Sequence, residues 1–516
     1  MKYRHCILVG AALTALLPVA ASAQWNAAND EANRQSMMAD MRASAAANDR
    51  ANFDSQQRQQ ADAARFNSSS SNTGSASSGS TAGGYSGQPA ARGATSSGPQ
   101  SIVRTYSFTV HRQETPAALM ARLENEATGG NALSAFNLAR VLYTGFEGAP
   151  RDEAQARRWF GEAARLGHPA AQSQYGQMLY HGQGGAADPV GAMPWLKQAA
   201  DQGDAYGLAL YGFFTLADQA KADPDAINPQ AVAMLVKAAD AGQLVAQAYL
   251  GNSVYRLGFG APRDKDKSAH YSRLAADQGL AMSQADLGRS YIFGTGVPKD
   301  SGLAVMWLRK AAAQNNAEAI FLLGRLAIDG SGLPQDLGGG VRMVKQAADA
   351  GNMEAIGFYG VLLQQGVGVP RDEVAGAAML ARAAQSHDSG AEQNYAIALF
   401  NGQGVAKNAA TGVYWQKRAA DDGSYEAAAT YCVRATTGQG MARNAVEGVR
   451  YGRIAAQVGL ARGQTCLGWA YHDGNGVAKD LLASRDWFRK AAAQGDQSAI
   501  NALKDDVALV AASRTP

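Results

Sequence analysis

The sequence predicts an all-α protein: a right-handed α-solenoid of ten helix-pair repeats of about 36 residues each. One observation is the segment "GTGVPKDSGLAVMWLRKAAAQN", which begins at Gly294 and returns almost unchanged from Gly474. Another is that the residue closing each "AA-x-x-G" pattern, here called the anchor, recurs in steps of 36 to 39 residues. The anchors are Gly130, Gly167, Gly203, Gly242, Gly279, Asn315, Gly351, His387, Gly423, Gly459 and Gly495. Ten consecutive repeats therefore fill residues 131–495.

Each repeat carries two helical patterns. Nine positions after the anchor stands a small residue, most often glycine, and mid-helix glycine costs about 1 kcal/mol relative to alanine. Its recurrence predicts that another helix packs closely against this position. A "G-x-G" pair then ends the first helix in most repeats, because glycine accepts the left-handed backbone conformation. The third repeat lacks this pair and is expected to have a longer loop, Ala217–Pro229.

The second helix of every repeat is expected to begin after an Asp or Asn, a residue type that caps helix N-termini. These residues are Asp152, Asp188, Asn228, Asp264, Asp300, Asp336, Asp372, Asn408, Asn444 and Asp480. Seven residues further on comes a large apolar or aromatic side chain, such as Trp307 or Trp487, followed by an Ala-Ala pair. Large and small side chains that alternate in this way predict interlocking helix pairs.

The ends of the chain have a different composition. Residues 1–23 have a basic start, a short apolar run and small residues up to Ala23, which predicts a cleaved signal peptide. Residues 24–100 are low in complexity and are expected to form a disordered region and linker. Residues 101–130 are expected to form a short extended segment and an N-terminal capping helix, and residues 496–516 a C-terminal capping helix. The mature protein is therefore expected to be periplasmic or secreted, without a membrane span.

Charge and motifs argue against several classes of function. The formal net charge is only +3, so a nucleic-acid footprint is not expected. Common phosphate-binding, hydrolase and zinc-protease motifs are missing, and the histidines lack metal-ligand spacing. We therefore predict no catalytic, cofactor-binding or metal-binding residues, and no cofactor. Cys432 and Cys466 lie on first helices of neighbouring repeats, where either a disulfide or simple packing of two thiols is compatible with the sequence.

The pattern "A-x-x-x-L-G-x-x-Y", "G-x-G-V-x-x-D" and "W-x-x-K-A-A-x-x-G" resembles the Sel-one-like repeat (SLR) of the tetratricopeptide superfamily. The fullest copies begin at Ala285 and Thr465. The resemblance implies an adaptor for other proteins, often in bacterial envelope or export contexts. Some exported relatives carry cysteine pairs in each repeat and have been linked to penicillin binding or weak β-lactam hydrolysis. This chain lacks those pairs.

The sequence thus favours a non-enzymatic scaffold of the cell envelope or secreted fraction that binds other proteins. A polysaccharide- or peptidoglycan-binding module and a weak β-lactam-hydrolysing enzyme stay as alternatives. Positions five, eight, nine and twelve after each anchor form an apolar stripe that packs inward. Positions ten and thirteen vary from repeat to repeat, which indicates a partner-binding groove on the adjoining face. Its candidate residues are Arg140, Tyr143, Gln177, Tyr180, Phe213, Leu216, Asn252, Tyr255, Trp469 and His472.

Overall fold

The computed structural model describes residues 115–223 and 225–505. The expected signal peptide, low-complexity region and extended segment lie outside these residues. Within them all regular structure is helical, which confirms the all-α solenoid of helix pairs. The right-handed sense and the domain boundaries stay predictions. Two compact units divide the chain after Ala275, and repeats five to ten belong to the second unit.

Helix α1 covers Pro116–Thr128 and precedes the repeats. The first helices of the ten repeats are α2 (Ala132–Thr144), α4 (Pro169–His181), α6 (Ala205–Ala222), α8 (Leu244–Tyr249), α10 (Ala281–Phe293), α12 (Ala317–Asp329), α14 (Met353–Gln365), α16 (Ser389–Asn401), α18 (Tyr425–Thr437) and α20 (Ala461–Asp473). The second helices are α3 (Glu153–Arg165), α5 (Pro189–Asp201), α7 (Pro229–Asp240), α9 (Lys265–Asp277), α11 (Ser301–Ala312), α13 (Leu337–Asp349), α15 (Glu373–Ala384), α17 (Ala409–Asp421), α19 (Ala445–Gln457) and α21 (Leu481–Ala492). Helix α22, Gln497–Asp505, follows the last repeat.

The predicted N-caps are confirmed in all ten repeats. In each case the Asp or Asn side chain accepts a hydrogen bond from the backbone N–H three residues on, at distances from 2.8 to 3.2 Å. The first helices end as expected too. Gly294, for example, has φ 69° and donates its N–H to the carbonyl of Ser290 at 2.8 Å. The chain therefore turns between the two helices of a repeat by local backbone chemistry alone.

The small residue nine positions after the anchor marks the closest approach of the two helices in a repeat. A Cβ built on Gly324 would lie 2.8 Å from the carbonyl oxygen of Gly340, and one on Gly360 would lie 2.9 Å from that of Gly376. Both oxygens belong to the second helix of the same repeat. The predicted close approach is therefore confirmed, and at these two glycines the nearest neighbour is backbone rather than a movable side chain.

Two repeats of the first compact unit depart from this geometry. In the third repeat, α6 is 18 residues long and takes in residues 217–222, which the sequence analysis assigned to a loop. The loop prediction was wrong there because, without a "G-x-G" stop, the helix continues to Ala222. In the fourth repeat, the first helix changes to π-helical geometry over Leu250–Leu257. The repeat pattern of the sequence does not predict this change.

A disulfide connects the first helices of the last two repeats. Cys432 of α18 and Cys466 of α20 are bonded, with their Cα atoms 6.4 Å apart. Neighbouring helix axes usually lie about 8–10 Å apart, so both side chains must point into the interface between the helices. Both cysteines are buried. Of the two arrangements that the sequence left open, the structure has the disulfide.

Replacing Gly360 by leucine should lower the free energy of unfolding by more than about 2 kcal/mol, because the backbone carbonyl of Gly376 cannot move aside. Urea unfolding of the full chain, followed by circular dichroism, measures the change. Gly338→Ala is the matched control. It lies exposed in the first turn of α13, where an added Cβ has no neighbour closer than 3.5 Å, and it should be neutral or stabilising. An unchanged midpoint for Gly360→Leu would contradict the close approach.

Removing the disulfide with the double substitution Cys432→Ala and Cys466→Ala should cost about 2–4 kcal/mol, since the cross-link restricts the unfolded chain. Thermal unfolding with and without reductant provides the measurement. Reductant should lower the Tm of the natural sequence and leave the double variant unchanged. Equal sensitivity of the two proteins to reductant would rule out a stabilising role for this bond.

Candidate functional site

The ten residues expected to line a partner groove are not on one open face. Six of them are buried: Arg140, Tyr143, Gln177, Phe213, Leu216 and Tyr255. Tyr180, Asn252 and His472 are half-buried, and Trp469 is exposed. The inference that positions ten and thirteen form an exposed face was therefore wrong for the first four repeats. Aromatic packing is the reason in two of them, because Phe213 contacts Tyr249 with ring centroids 4.7 Å apart and Tyr255 stacks on Tyr271 at 5.8 Å.

The second compact unit does present an accessible face of its first helices. It consists of positions three, ten and fourteen after each anchor, a spacing that places them on one side of a helix. Position ten is half-exposed or exposed in all six repeats of this unit. Its residues are Arg289, Arg325, Val361, Ile397, Val433 and Trp469. We call these six residues the first-helix stripe; Trp469 is its only member among the candidates from the sequence.

The two halves of the first-helix stripe differ in chemistry. Arg289 pairs with Glu318 at 2.7 Å and with Glu354 at 2.9 Å, so one guanidinium links three successive first helices. Arg325 lies over the ring of Phe358, 5.4 Å from its centroid. From the seventh repeat onward the stripe is apolar, with Ile397 at 41 % and Trp469 at 38 % exposure. An exposed apolar row with a charged end is suited to holding an amphipathic partner.

A recurring hydrogen bond joins the two helices of several repeats. Glutamines five and thirty-five positions after the anchor form it. The Nε2 atoms of Gln202, Gln314 and Gln494 donate to the Oε1 atoms of Gln172, Gln284 and Gln464, at 2.7, 3.0 and 2.9 Å respectively. In the second, fifth and tenth repeats this position is therefore filled by a neutral, satisfied pair of amides.

The eighth repeat has carboxylates at both of these positions and histidine as its anchor. Nδ1 of His387 lies 2.7 Å from Oδ2 of Asp422, and Nε of Arg418 lies 2.7 Å from Oε1 of Glu392. One ligand atom each from His387, Glu392 and Asp422 can be chosen so that all three lie within 4.8 Å of one another. We call His387, Glu392, Arg418 and Asp422 the repeat-eight cluster. Arg418 is held in place from the other side by the ring of Trp415, 4.9 Å away.

Burial dominates the electrostatics of this cluster. The side chain of Glu392 is 0 % exposed. Burial, together with the charge of Asp422, raises its pKa to about 8, although Arg418 acts in the opposite direction. Burial also raises the pKa of the neighbouring Asp388, the N-cap of α16. At neutral pH the cluster can therefore hold a proton on a carboxyl group that would be ionised in water.

Sequence reasoning missed this cluster because it treated the histidines as scattered. His387 and Glu392 are five residues apart, and Asp422 follows thirty residues later. No short motif spans that distance. Comparing the repeats position by position would have revealed it, since the eighth repeat alone has carboxylates at both positions where others have paired glutamines.

Glu392→Gln should remove a pH dependence of stability. A glutamate whose pKa rises from about 4.5 unfolded to about 8 folded stabilises the fold when protonated, and that contribution is lost as the pH rises through 8. The free energy of unfolding of the natural sequence should fall on the order of 2 kcal/mol between pH 6 and pH 9. Urea unfolding at several pH values measures it. Glu426→Gln, an exposed glutamate of α18, should keep the full dependence. The same slope in Glu392→Gln would contradict the raised pKa.

Comparison with known proteins places the repeats in context. A family model described as "Sel1 repeat" matches residues 132–168, 169–204, 244–280, 281–316, 317–352, 354–388, 389–424, 432–460 and 461–496. Together these segments cover more than half of the chain. Residues 205–243, which hold most of the divergent third repeat, lie between matched segments.

A curated relative is the "Exopolysaccharide production negative regulator" of Rhizobium leguminosarum bv. viciae. It is 37 % identical over 91 residues, which cover 17 % of this chain and 34 % of that protein. The match thus spans about a third of the relative's length.

Two solved structures are similar to this chain. One is a protective antigen of uropathogenic Escherichia coli with an SLR fold, 28 % identical, with a TM-score of 0.48 and coverage of 74 % of this chain and 80 % of that one. The other is a Sel1 repeat protein from Oxalobacter formigenes, 28 % identical, with a TM-score of 0.40 and coverage of 60 % and 89 %. Among the described residues, no helix has the length and apolar character needed to cross a membrane.

Proposed function

Because the chain belongs to the Sel1 repeat family, we propose that it is a non-enzymatic scaffold that binds another protein through the first-helix stripe. Repeats of this family serve as protein-interaction scaffolds. The observation that carries the proposal is the accessible apolar row of Val361, Ile397, Val433 and Trp469, in which successive first helices present apolar side chains at the same repeat position. A contiguous apolar row that lies outside the core is typical of a contact surface for another molecule.

The dimensions of the row suit an elongated partner segment. Its four residues stand on neighbouring first helices, whose axes are typically about 8–10 Å apart, so the row extends over roughly 25–30 Å. An amphipathic helix or an extended peptide covers that length with one apolar side. Trp469 at one end is of the residue type most often found at binding hot spots. Arg325 at the other end favours an acidic residue in the partner.

We propose that the protein acts in the cell envelope or in the secreted fraction. The basic start, apolar run and small residues of positions 1–23 support export by a cleaved signal peptide. The disulfide between Cys432 and Cys466 is consistent with an oxidising compartment. Both observations favour a partner that is itself exported.

A second candidate function is a role in polysaccharide production at the cell envelope. It rests on the name of the rhizobial relative, which matches this chain over 91 residues. A scaffold that holds a protein of such a machinery would satisfy both candidates. A module that binds the polysaccharide itself would not use an apolar row of this length.

A photo-crosslinking residue placed at position 397 in intact cells tests the scaffold. We expect it to capture one discrete protein, whereas the same residue at position 446 should not. Val446 is an equally apolar but more exposed residue on a second helix, with 71 % exposure. The double substitution Ile397→Asp and Trp469→Ala should then weaken binding of the captured protein at least tenfold, since each hot-spot residue contributes more than about 1 kcal/mol.

Val446→Asp and Val374→Asp are the matched controls, because both introduce a charge at an exposed valine of a second helix. Neither should change the affinity. Equal loss of binding in the controls and the stripe variant would argue against the first-helix stripe. Capture of polysaccharide instead of protein from position 397 would argue against the scaffold and favour a module that binds the polysaccharide itself.

A further inference from the structure

We propose that His387, Glu392 and Asp422 of the repeat-eight cluster bind a divalent transition-metal ion, with zinc as the ion that the ligand types favour. One imidazole nitrogen and two carboxylate oxygens form a three-ligand set that leaves a fourth position for water. The inference does not rest on the proposed function.

The three side chains are already close to the required geometry. Zinc lies about 2.0–2.2 Å from nitrogen and oxygen ligands, which places ligand atoms of a tetrahedron about 3.4 Å apart. In the structure the corresponding atoms lie within 4.8 Å of one another. The ion takes the place of the proton between Nδ1 of His387 and Oδ2 of Asp422, which are 2.7 Å apart.

The surroundings of the Glu392 carboxylate are a second, independent argument for a bound cation. Its side chain is 0 % exposed, and among the described residues none donates a hydrogen bond with good geometry to either carboxylate oxygen. A buried carboxylate in this condition costs several kcal/mol unless a cation compensates it or it takes up a proton. The closest contact of Arg418 with Glu392 joins Nε to Oε1, at 2.7 Å. A carboxylate oxygen of Glu392 also lies within 4.8 Å of ligand atoms of Asp422 and His387.

Packing alone does not require these residues. The second, fifth and tenth repeats fill the same two positions with a hydrogen-bonded pair of glutamines, such as Gln464 and Gln494 at 2.9 Å. Two carboxylates that face each other are worse than two amides in every respect except cation binding. The anchor changes as well. Histidine occupies a backbone position with φ 62°, which costs more than the glycine used by most repeats.

The charges around the site balance when an ion is present. With a neutral imidazole, the two ionised carboxylates and Arg418 sum to one negative charge, and a divalent ion changes this to one positive charge. The carboxylate of Asp388, which acts on Glu392 through space, offsets that charge. The imidazole of His387 is 42 % exposed, so an ion can enter from solvent without opening the fold. Arg418 then orients Glu392 in the way that outer groups orient ligands in known metal sites.

The test is titration of the untagged full chain, stripped with a chelator, with zinc chloride in a calorimeter at pH 7.5. We expect one zinc ion per chain, and binding that tightens as the pH rises because the ion displaces a proton from the cluster. Zinc should also raise the Tm. No heat of binding and no shift in Tm would overturn the proposal.

The variants convert the site into the form that other repeats already use, so they should fold. Glu392→Gln with Asp422→Gln recreates the paired glutamines, and His387→Gly restores the usual anchor. Each should weaken zinc binding at least tenfold while the helical signal is kept. His472→Ala is the matched control, since its imidazole pairs with Asp473 outside the cluster, and it should bind zinc as the natural sequence does. Zinc binding that survives in the Glu392→Gln, Asp422→Gln protein would also overturn the site.

Discussion

The fold depends on a contact that recurs along the chain, where a small residue of the first helix lies against the second helix of the same repeat. At Gly324 and Gly360 the nearest atom to an added Cβ is a carbonyl oxygen of the partner helix. Helices that approach this closely exclude water and fix their relative rotation, because no side chain can adjust in between. The apolar stripe of each first helix is then buried against its own partner and the next repeat. The remaining features of the chain are built on this regular frame.

In a repeat frame of this kind, residues that form the caps, stops and helix contacts must keep the same type in every repeat, whereas other residues can vary. Caps such as Asp300 and stops such as Gly294 recur because each satisfies backbone groups locally. Side chains on the accessible face of the first helices are free of that constraint. In the second compact unit their chemistry changes from charged at Arg289 to apolar at Trp469 without any change in the backbone beneath them. A scaffold can therefore acquire a binding surface without loss of its fold.

In the eighth repeat, residues vary inside the repeat rather than on its accessible face. The position of a neutral glutamine pair is taken by Glu392 and Asp422, with His387 beside them, while the helices keep their usual bounds. Burial stabilises apolar side chains but raises the free energy of an ionised carboxylate, so the cluster lowers the stability of the repeat that contains it. A protein that keeps such a cluster accepts a less stable repeat. The compensation that the structure offers is a cation, either Arg418 alone or Arg418 with a metal ion.

The sequence by itself determined the repeat frame, since its signals are local. The period, the ten Asp and Asn caps and the glycine stops each depend on a few consecutive residues and on backbone conformations that those residues favour. Sequence reasoning therefore placed the helix pairs and the close contact at Gly324. It was wrong about the exposure of Tyr143 and Phe213, because exposure depends on what packs against a side chain from elsewhere in the chain. The tertiary structure alone decided which face of the first helices is open, and it brought His387, Glu392 and Asp422 together. Those three residues span two helices and the turn between repeats, and only the packing of one helix on the next sets the distances among them.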